Sequence, residues 1–292
     1  MAPEGRLGHV SRAMTRIRGF YLAGERAILG AITVGFVLCF WEGLTRGWWA
    51  RLLEPALGSG AAAWRISPIF LSSPTAVALT AIRVFATGDI WSDLRVSGLE
   101  FLLGFVLAIA VGIPLGLAAG WYRRFCFAIE PFLSALNATP RVALLPLIII
   151  WVGIGIWSKV LVVFLGAVIP ICINSLAGVR TTDAKLLRVA RSFKAAEGRL
   201  FRTIILPSAV PFILTGLRLG VGRAMVGVVV GELYAATAGV GFMITVAGAS
   251  FQTDKVFVGV AIIALAGVLM IEALSRLERR FETWRPKVGA AT

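Results

Sequence analysis

The stretch from Val96 to Ala119 reads VSGLEFLLGFVLAIAVGIPLGLAA and carries a single charge, Glu100. A run that long and that apolar can satisfy itself only inside a bilayer or wholly within protein. Comparable runs cover Ala27–Leu44, Ile129–Gly153, Val160–Gly178, Phe212–Tyr234 and Val256–Ser275. Six runs in one chain predict an all-α, polytopic membrane protein of about six spans. Hydrophobic residues make up 58% of the sequence, against about 45–50% in soluble domains. A membrane β-barrel is excluded, because its strands would show short two-residue alternation instead of long uniform runs.

Charge sets the expected orientation. Arg6, Arg12, Arg16, Arg18 and Arg26 precede the first run, Arg123 and Arg124 follow the second, and seven Lys and Arg lie between Arg180 and Pro211. Five more lie beyond Ser275. The opposite side receives only Arg46, Arg51, Arg65, Arg83, Arg95, Lys159 and Lys255. Basic residues accumulate in cytoplasmic segments, so both termini are expected in the cytoplasm. The expected organisation is a cytoplasmic tail (1–26), a first span with an outer loop (27–95), a core of five spans (96–275) and a charged tail (276–292). The N-terminal charges resemble those of a signal peptide, but no small-residue cleavage site follows, so an uncleaved span is expected. In the outer loop, Ser73-Pro74 opens the segment TAVALTAIRVFATG. Helical apolar spacing there predicts an amphipathic helix capped by Ser73, with an ordinary ordered loop as the alternative. The tail RLERRFETWRPKVGAAT is suited to lipid headgroups through Arg and Trp.

The net charge of +14 follows from these cytoplasmic clusters, and no nucleic-acid module accompanies it. The lone His9 and the scattered Cys39, Cys126 and Cys172 have neither metal-ligand nor disulfide spacing, and the cysteines are expected to be small buried hydrophobes. No G-x-x-x-x-G-K-[ST], G-x-S-x-G, H-E-x-x-H or C-x-x-C occurs. The chain is therefore expected to be no enzyme and to bind no cofactor itself.

Polar residues within spans are costly and require a reason. The third run contains Pro131, Pro140 and Pro146 together with Asn137, Thr139 and Arg141. Broken backbone at membrane depth suits a wet pathway or gate, and equally a kinked packing helix whose polar groups serve its own backbone. Glu100, Arg218, Arg223 and Glu232 have two readings: interhelical salt bridges, such as Arg223 with Glu100 or Glu232, or an electropositive lumen for an anion. Gly216, Gly220, Gly222, Gly227 and Gly231 permit close helix approach in the fifth span.

The segment from Arg180 to Pro211 is a basic helical loop between two spans. Asp183 is placed to cap a helix AKLLRVARSF, followed by a second short helix AAEGRLFRTII that Leu206-Pro207 ends. Leu187, Phe193, Leu200 and Phe201 could enter a groove on another protein, or the basic helices could lie on anionic lipid. The loop resembles the E-A-A-x3-G-x9-I-x-L-P loop of permease subunits of bacterial ABC importers. Leu206-Pro207 match its end, Ile204 its Ile and Ala190 its second Ala. The chain departs from the pattern with Arg188 at the Glu and Lys194 at the Gly. FLSSPTAV, LLGFVLAIAVGIPLGLAAG, NATPRVALLPLIIIWVGIG, SLAGVR, ILPSAVPFILTGLRLGVGRAMVGVVVGEL and AGVGFMI are similar, in the same order, to the nitrate/sulfonate/taurine/bicarbonate branch of that family.

The resemblance implies a type I importer permease fold in a bacterial inner membrane and a homodimer of permeases. It also implies cytoplasmic ABC ATPase subunits that hold ATP and Mg, and an extracytoplasmic substrate-binding protein met by outer loops such as Ala235 to Gly241. The ATPase-coupling loop would comprise Arg191, Ser192, Phe193, Lys194, Ala195, Ala196, Glu197, Gly198, Arg199, Leu206 and Pro207, with the coupling helix near Ala195–Arg199. Glu100, Asn137, Thr139, Pro140, Arg141, Arg218, Arg223 and Glu232 are the candidates for pathway or gate. The expected cargo is a small solute such as a sulfonate, nitrate or taurine; a neutral heterocycle such as a pyrimidine precursor is the alternative, and an intramembrane enzyme a remote one.

Overall fold

The computed structural model describes residues 25, 28–48, 51, 55 and 66–281. The expected N-terminal tail (all but residue 25), most of the proline-bearing start of the outer loop, and residues 282–292 of the charged tail lie outside the described residues. The chain divides into two compact units, 1–80 and 81–292. In the first, helix α1 (Ile28–Arg46) presents a largely exposed apolar surface that includes Phe36 and Val37. Cys39 is exposed there, against expectation, whereas Cys126 and Cys172 are buried. Glu42, near the end of α1, pairs with Arg46 and accepts from the Thr75 amide at 3.0 Å and the Thr75 hydroxyl at 2.7 Å. Helix α2 (Pro74–Thr87) begins where the sequence places it, with Ser73 Oγ accepting from the Ala76 amide at 3.3 Å.

The second unit is built around α6 (Ile156–Arg180), which packs along its length against α3 (Ile90–Trp121) and α9 (Leu206–Ala235). The core they enclose includes Phe101, Phe105, Val163, Ile171, Val221 and Val228. Close approach is possible because small residues line the seam: a Cβ at Gly227 would lie 3.0 Å from the Val163 Cα. Gly216, Gly220 and Gly231 likewise face α6, while Gly222 faces open space. The expected close packing of this span is thus met within the chain itself.

The third expected span is two helices. Helix α4 (Arg123–Ala138) stops at Thr139-Pro140, a 3-10 turn covers Arg141–Leu144, and α5 (Leu145–Val152) follows. The two arms bend by 95°. Pro140 cannot donate to the ladder, and it forces Thr139 out of helical backbone to ψ 129°. Helix α11 (Thr253–Phe281) supplies the last span. Among the described residues, five helices are long and apolar enough to cross a membrane, six if the bent pair counts as one. Helix α10 (Val240–Ala249) was not expected; it is too short to stand out as a span.

The polar loop contains α7 (Ala184–Ser192), capped as expected by Asp183, whose carboxylate accepts from the Lys185 amide at 2.7 Å. Helix α8 (Glu197–Leu200) follows. Leu206-Pro207 does not end the second helix. A π-helical turn over Phe201–Ile205, closed by the Leu206 amide on the Phe201 carbonyl, carries the backbone straight into α9. Pro207 lies in the first turn of that helix, where a missing N–H is tolerated.

Candidate functional site

The bend in the α4–α5 span opens a cavity of about 350 Å³ between the break, α6 and α9. Its polar lining is Asn137, Thr139, Arg141 and Arg223, and its apolar lining includes Val142, Val162, Val226 and Val230. Arg141 is held loosely: Nη1 donates to the Gly166 carbonyl and Nη2 to Asn137 Oδ1, each at 3.4 Å. Its Nε is buried without a partner. Gly166 offers its carbonyl for a reason legible in the chain. Pro170, four residues on, has no N–H to donate to it. This proline was not singled out from the sequence; the i−4 rule would have found it. Among the described residues, Arg223 forms no salt bridge, and no carboxylate lines the cavity. Arg141 is half-buried and Arg223 exposed at the mouth of this space, so two like charges border one partly apolar cleft and the partial burial of Arg141 strengthens their repulsion.

The eight pathway candidates thus divide. Asn137, Thr139, Pro140, Arg141 and Arg223 share this cavity. Glu100 and Glu232 belong to a second polar cluster. Neither pairs with Arg223, contrary to the sequence expectation: Glu100 accepts from Lys159 Nζ at 2.9 Å, with both side chains buried. Lys159, expected in an outer loop, is therefore a core residue near the start of α6. Glu232 accepts from the Ser97 hydroxyl at 2.5 Å and the Gly241 amide at 2.6 Å. Ser97 Oγ in turn accepts from the Val240 amide at 2.9 Å, and Asp93 from the Gly239 amide at 2.8 Å. These bonds pin the α9–α10 connection to α3 and satisfy the first amides of α10. Arg218 pairs with Glu278 of α11.

The loop between α6 and α9 forms a bracket. Its bend falls at Lys194, the position where the family pattern carries Gly, and Lys194 has φ +54°. The Ala195 amide reaches the Ala190 carbonyl at 3.2 Å and the Lys194 amide reaches the Arg191 carbonyl at 2.9 Å. That pair of bonds is a Schellman motif, so the departure from Gly leaves the bend intact. Arg191 and Glu197 face each other across it at 3.4 Å. The apolar residues expected to enter a partner's groove turn mostly inward. Leu200 is 1% exposed, Phe201 packs edge-on against Trp121 at 5.8 Å, and Leu187 joins the cluster of Val179, Ile205 and Ala209. The outward stripe is instead Leu186, Val189 and Phe193, the last 80% exposed. Spacings of three and four place the three on one face of α7 and its C-cap.

Known proteins are similar to this chain in sequence and in fold. Residues 112–283 match the family model described as binding-protein-dependent transport system inner membrane component. The putative aliphatic sulfonates transport permease protein SsuC of Bacillus subtilis (strain 168) is 37% identical, over 82% of this chain and 88% of its own. The taurine transport system permease protein TauC of Escherichia coli (strain K12) is 36% identical, over 76% of this chain and 83% of its own. The formylaminopyrimidine transport permease protein ThiX of Halalkalibacterium halodurans is 32% identical, over 77% and 92%. The fold also resembles a chain of the MetNI methionine ABC transporter, with a TM-score of 0.53 at 18% identity, covering 67% of this chain and 95% of that one. A bundle of apolar helices with a polar bracket, matched over most of its length by such relatives, places the chain in the binding-protein-dependent inner membrane component family, as the permease subunit of an ABC importer.

Proposed function

We propose that the α7–α8 bracket is the cytoplasmic grip of a partner ATPase, which holds the ATP and Mg and drives transport of a small anion, a short sulfonate before other cargo. The observation that carries the reading is the exposed stripe Leu186, Val189 and Phe193, rimmed by Arg188 and Arg191. Such a face suits a groove on a partner, and its own bundle leaves it uncovered. Leu187, Leu200 and Phe201 anchor the bracket inward, so a push on the stripe reaches α9 through the packing of Leu187 against Ile205 and Ala209. On the far side, the connection held by Asp93, Ser97 and Glu232 offers a fixed platform for a substrate-binding protein. A second copy of the permease would complete the pathway. The two guanidinium groups without a carboxylate favour an anion over a neutral heterocycle.

The test is Phe193→Asp. Burying a phenylalanine is worth about 1.5–3 kcal/mol, so the charge should weaken co-purification of the ATPase by about tenfold or more and lower sulfonate uptake, while membrane insertion persists. Normal ATPase retention and normal uptake in this variant would remove the bracket from the docking role.

A further inference from the structure

We infer that the cavity at the α4–α5 break is a binding station for a short alkanesulfonate within the permease itself, one that admits a bare alkyl tail and rejects an amino-terminated one. This rests on the reading that the chain passes a small sulfonate. The polar half of the cavity presents Arg141, Arg223, Asn137 and Thr139, and the other half Val142, Val162, Val226 and Val230. A sulfonate head has three acceptor oxygens and one negative charge. It would occupy the forks of two guanidiniums and supply the partner that the buried Arg141 Nε lacks. Its charge would relieve the repulsion between the two arginines, which no side chain of the cavity relieves. The valines offer an apolar wall for the tail. An ammonium group at the end of that tail would meet valines and two existing positive charges, with no carboxylate to receive it. A neutral heterocycle would leave both guanidiniums uncompensated. The volume, about 350 Å³, lies at the small end of ligand sites. Discrimination would then operate inside the membrane, after the binding protein has delivered its cargo.

The experiment uses the permease–ATPase complex in nanodiscs of zwitterionic lipid, without binding protein, and radiolabelled butanesulfonate as probe. Saturable binding is expected, displaced by unlabelled ethanesulfonate and by nitrate. Taurine should displace it only at concentrations about tenfold higher or more, the cost of one uncompensated charge, and dimethyl sulfone should not displace it. Arg141→Gln and Arg223→Gln should each weaken binding about tenfold. Val230→Glu should reverse the order, favouring taurine over butanesulfonate, a gain that a misfolded variant would not show. Equal displacement by taurine, or an unchanged order in Val230→Glu, would overturn the discrimination. Loss of probe binding on adding phosphatidylglycerol would assign the site to lipid phosphate instead. Absence of saturable binding, in a preparation that takes up butanesulfonate once binding protein is added, would overturn the station but leave the permease reading standing. Failure of that uptake as well would remove the sulfonate reading beneath it.

Discussion

Lys194 shows how one residue can depart from a family pattern without changing the backbone. The bend requires a left-handed residue, and Lys194 supplies φ +54°, which costs an L-amino acid about 1–2 kcal/mol. Glycine would avoid that cost but lose about 0.5–1 kcal/mol in unfolded-state entropy. Lys194→Gly is therefore expected to leave the bend intact and stabilise it by about 0.5 kcal/mol, with slower hydrogen exchange at the Ala195 amide. Lys194→Val should do the reverse, since a β-branched residue tolerates positive φ worst, and retention of the ATPase should fall with it. The buried pair of Glu100 and Lys159 makes a sharper case. Removing one member strands the other charge, so Lys159→Met should destabilise the fold by about 3–5 kcal/mol. The double variant Glu100→Leu with Lys159→Met should recover much of that loss, because a well-packed apolar pair can replace an ion pair. Thermal unfolding of the three proteins in detergent provides the comparison, and a double variant no more stable than Lys159→Met would contradict it.

Among the elements, α9 departs most from the sequence expectation, and its π-helical turn explains why. A proline is a sound terminator only when the preceding backbone is regular. Here the extra residue in the Phe201–Ile205 turn shifts the register so that Pro207 enters as a helix-starting residue. Pro207→Ala restores an N–H that can close a regular turn. Reverting to α geometry would rotate α8 about 100° relative to α9. Sulfonate uptake per ATP hydrolysed should then fall while the ATPase still co-purifies; an unchanged ratio would mean the turn carries no coupling. The elements that local chemistry governs are legible: Asp183 and Ser73 cap the helices assigned to them, and five of the six apolar runs coincide with long apolar helices, the third being split at Thr139-Pro140. What could not be read was set by neighbours. Lys159 lies just ahead of an apolar run and looked like a loop charge, because only the facing Glu100 makes its burial tolerable. Phe201 reads as a surface anchor because part of its cover, Trp121 and Val179, lies far away in sequence. Gly166, Pro170 and Arg141 form a unit only once the break has folded back towards α6.

At the scale of the whole molecule, the orientation ties the chemistry to the machine. If the bracket faces the cytoplasm, the connection between α9 and α10 must face outward, since α9 crosses between them. The charge distribution supports this direction, and the pairing of Lys159 within the core removes one of the few basic residues counted against it. Single cysteines can read it directly. Cys126 and Cys172 are buried, and Cys39 is exposed, so Cys39→Ser gives a suitable background. In that background Ser192→Cys places a thiol on the exposed end of α7 and Ser250→Cys one at the exposed end of α10. In intact cells an impermeant maleimide should label Cys at position 250 and not at 192, and sealed inverted vesicles should reverse the pattern. Addition of the ATPase to those vesicles should then shield position 192 alone, because it adjoins Phe193. Labelling of position 192 from outside the cell would place the bracket beyond the reach of any cytoplasmic motor, and the coupling scheme would fall with it.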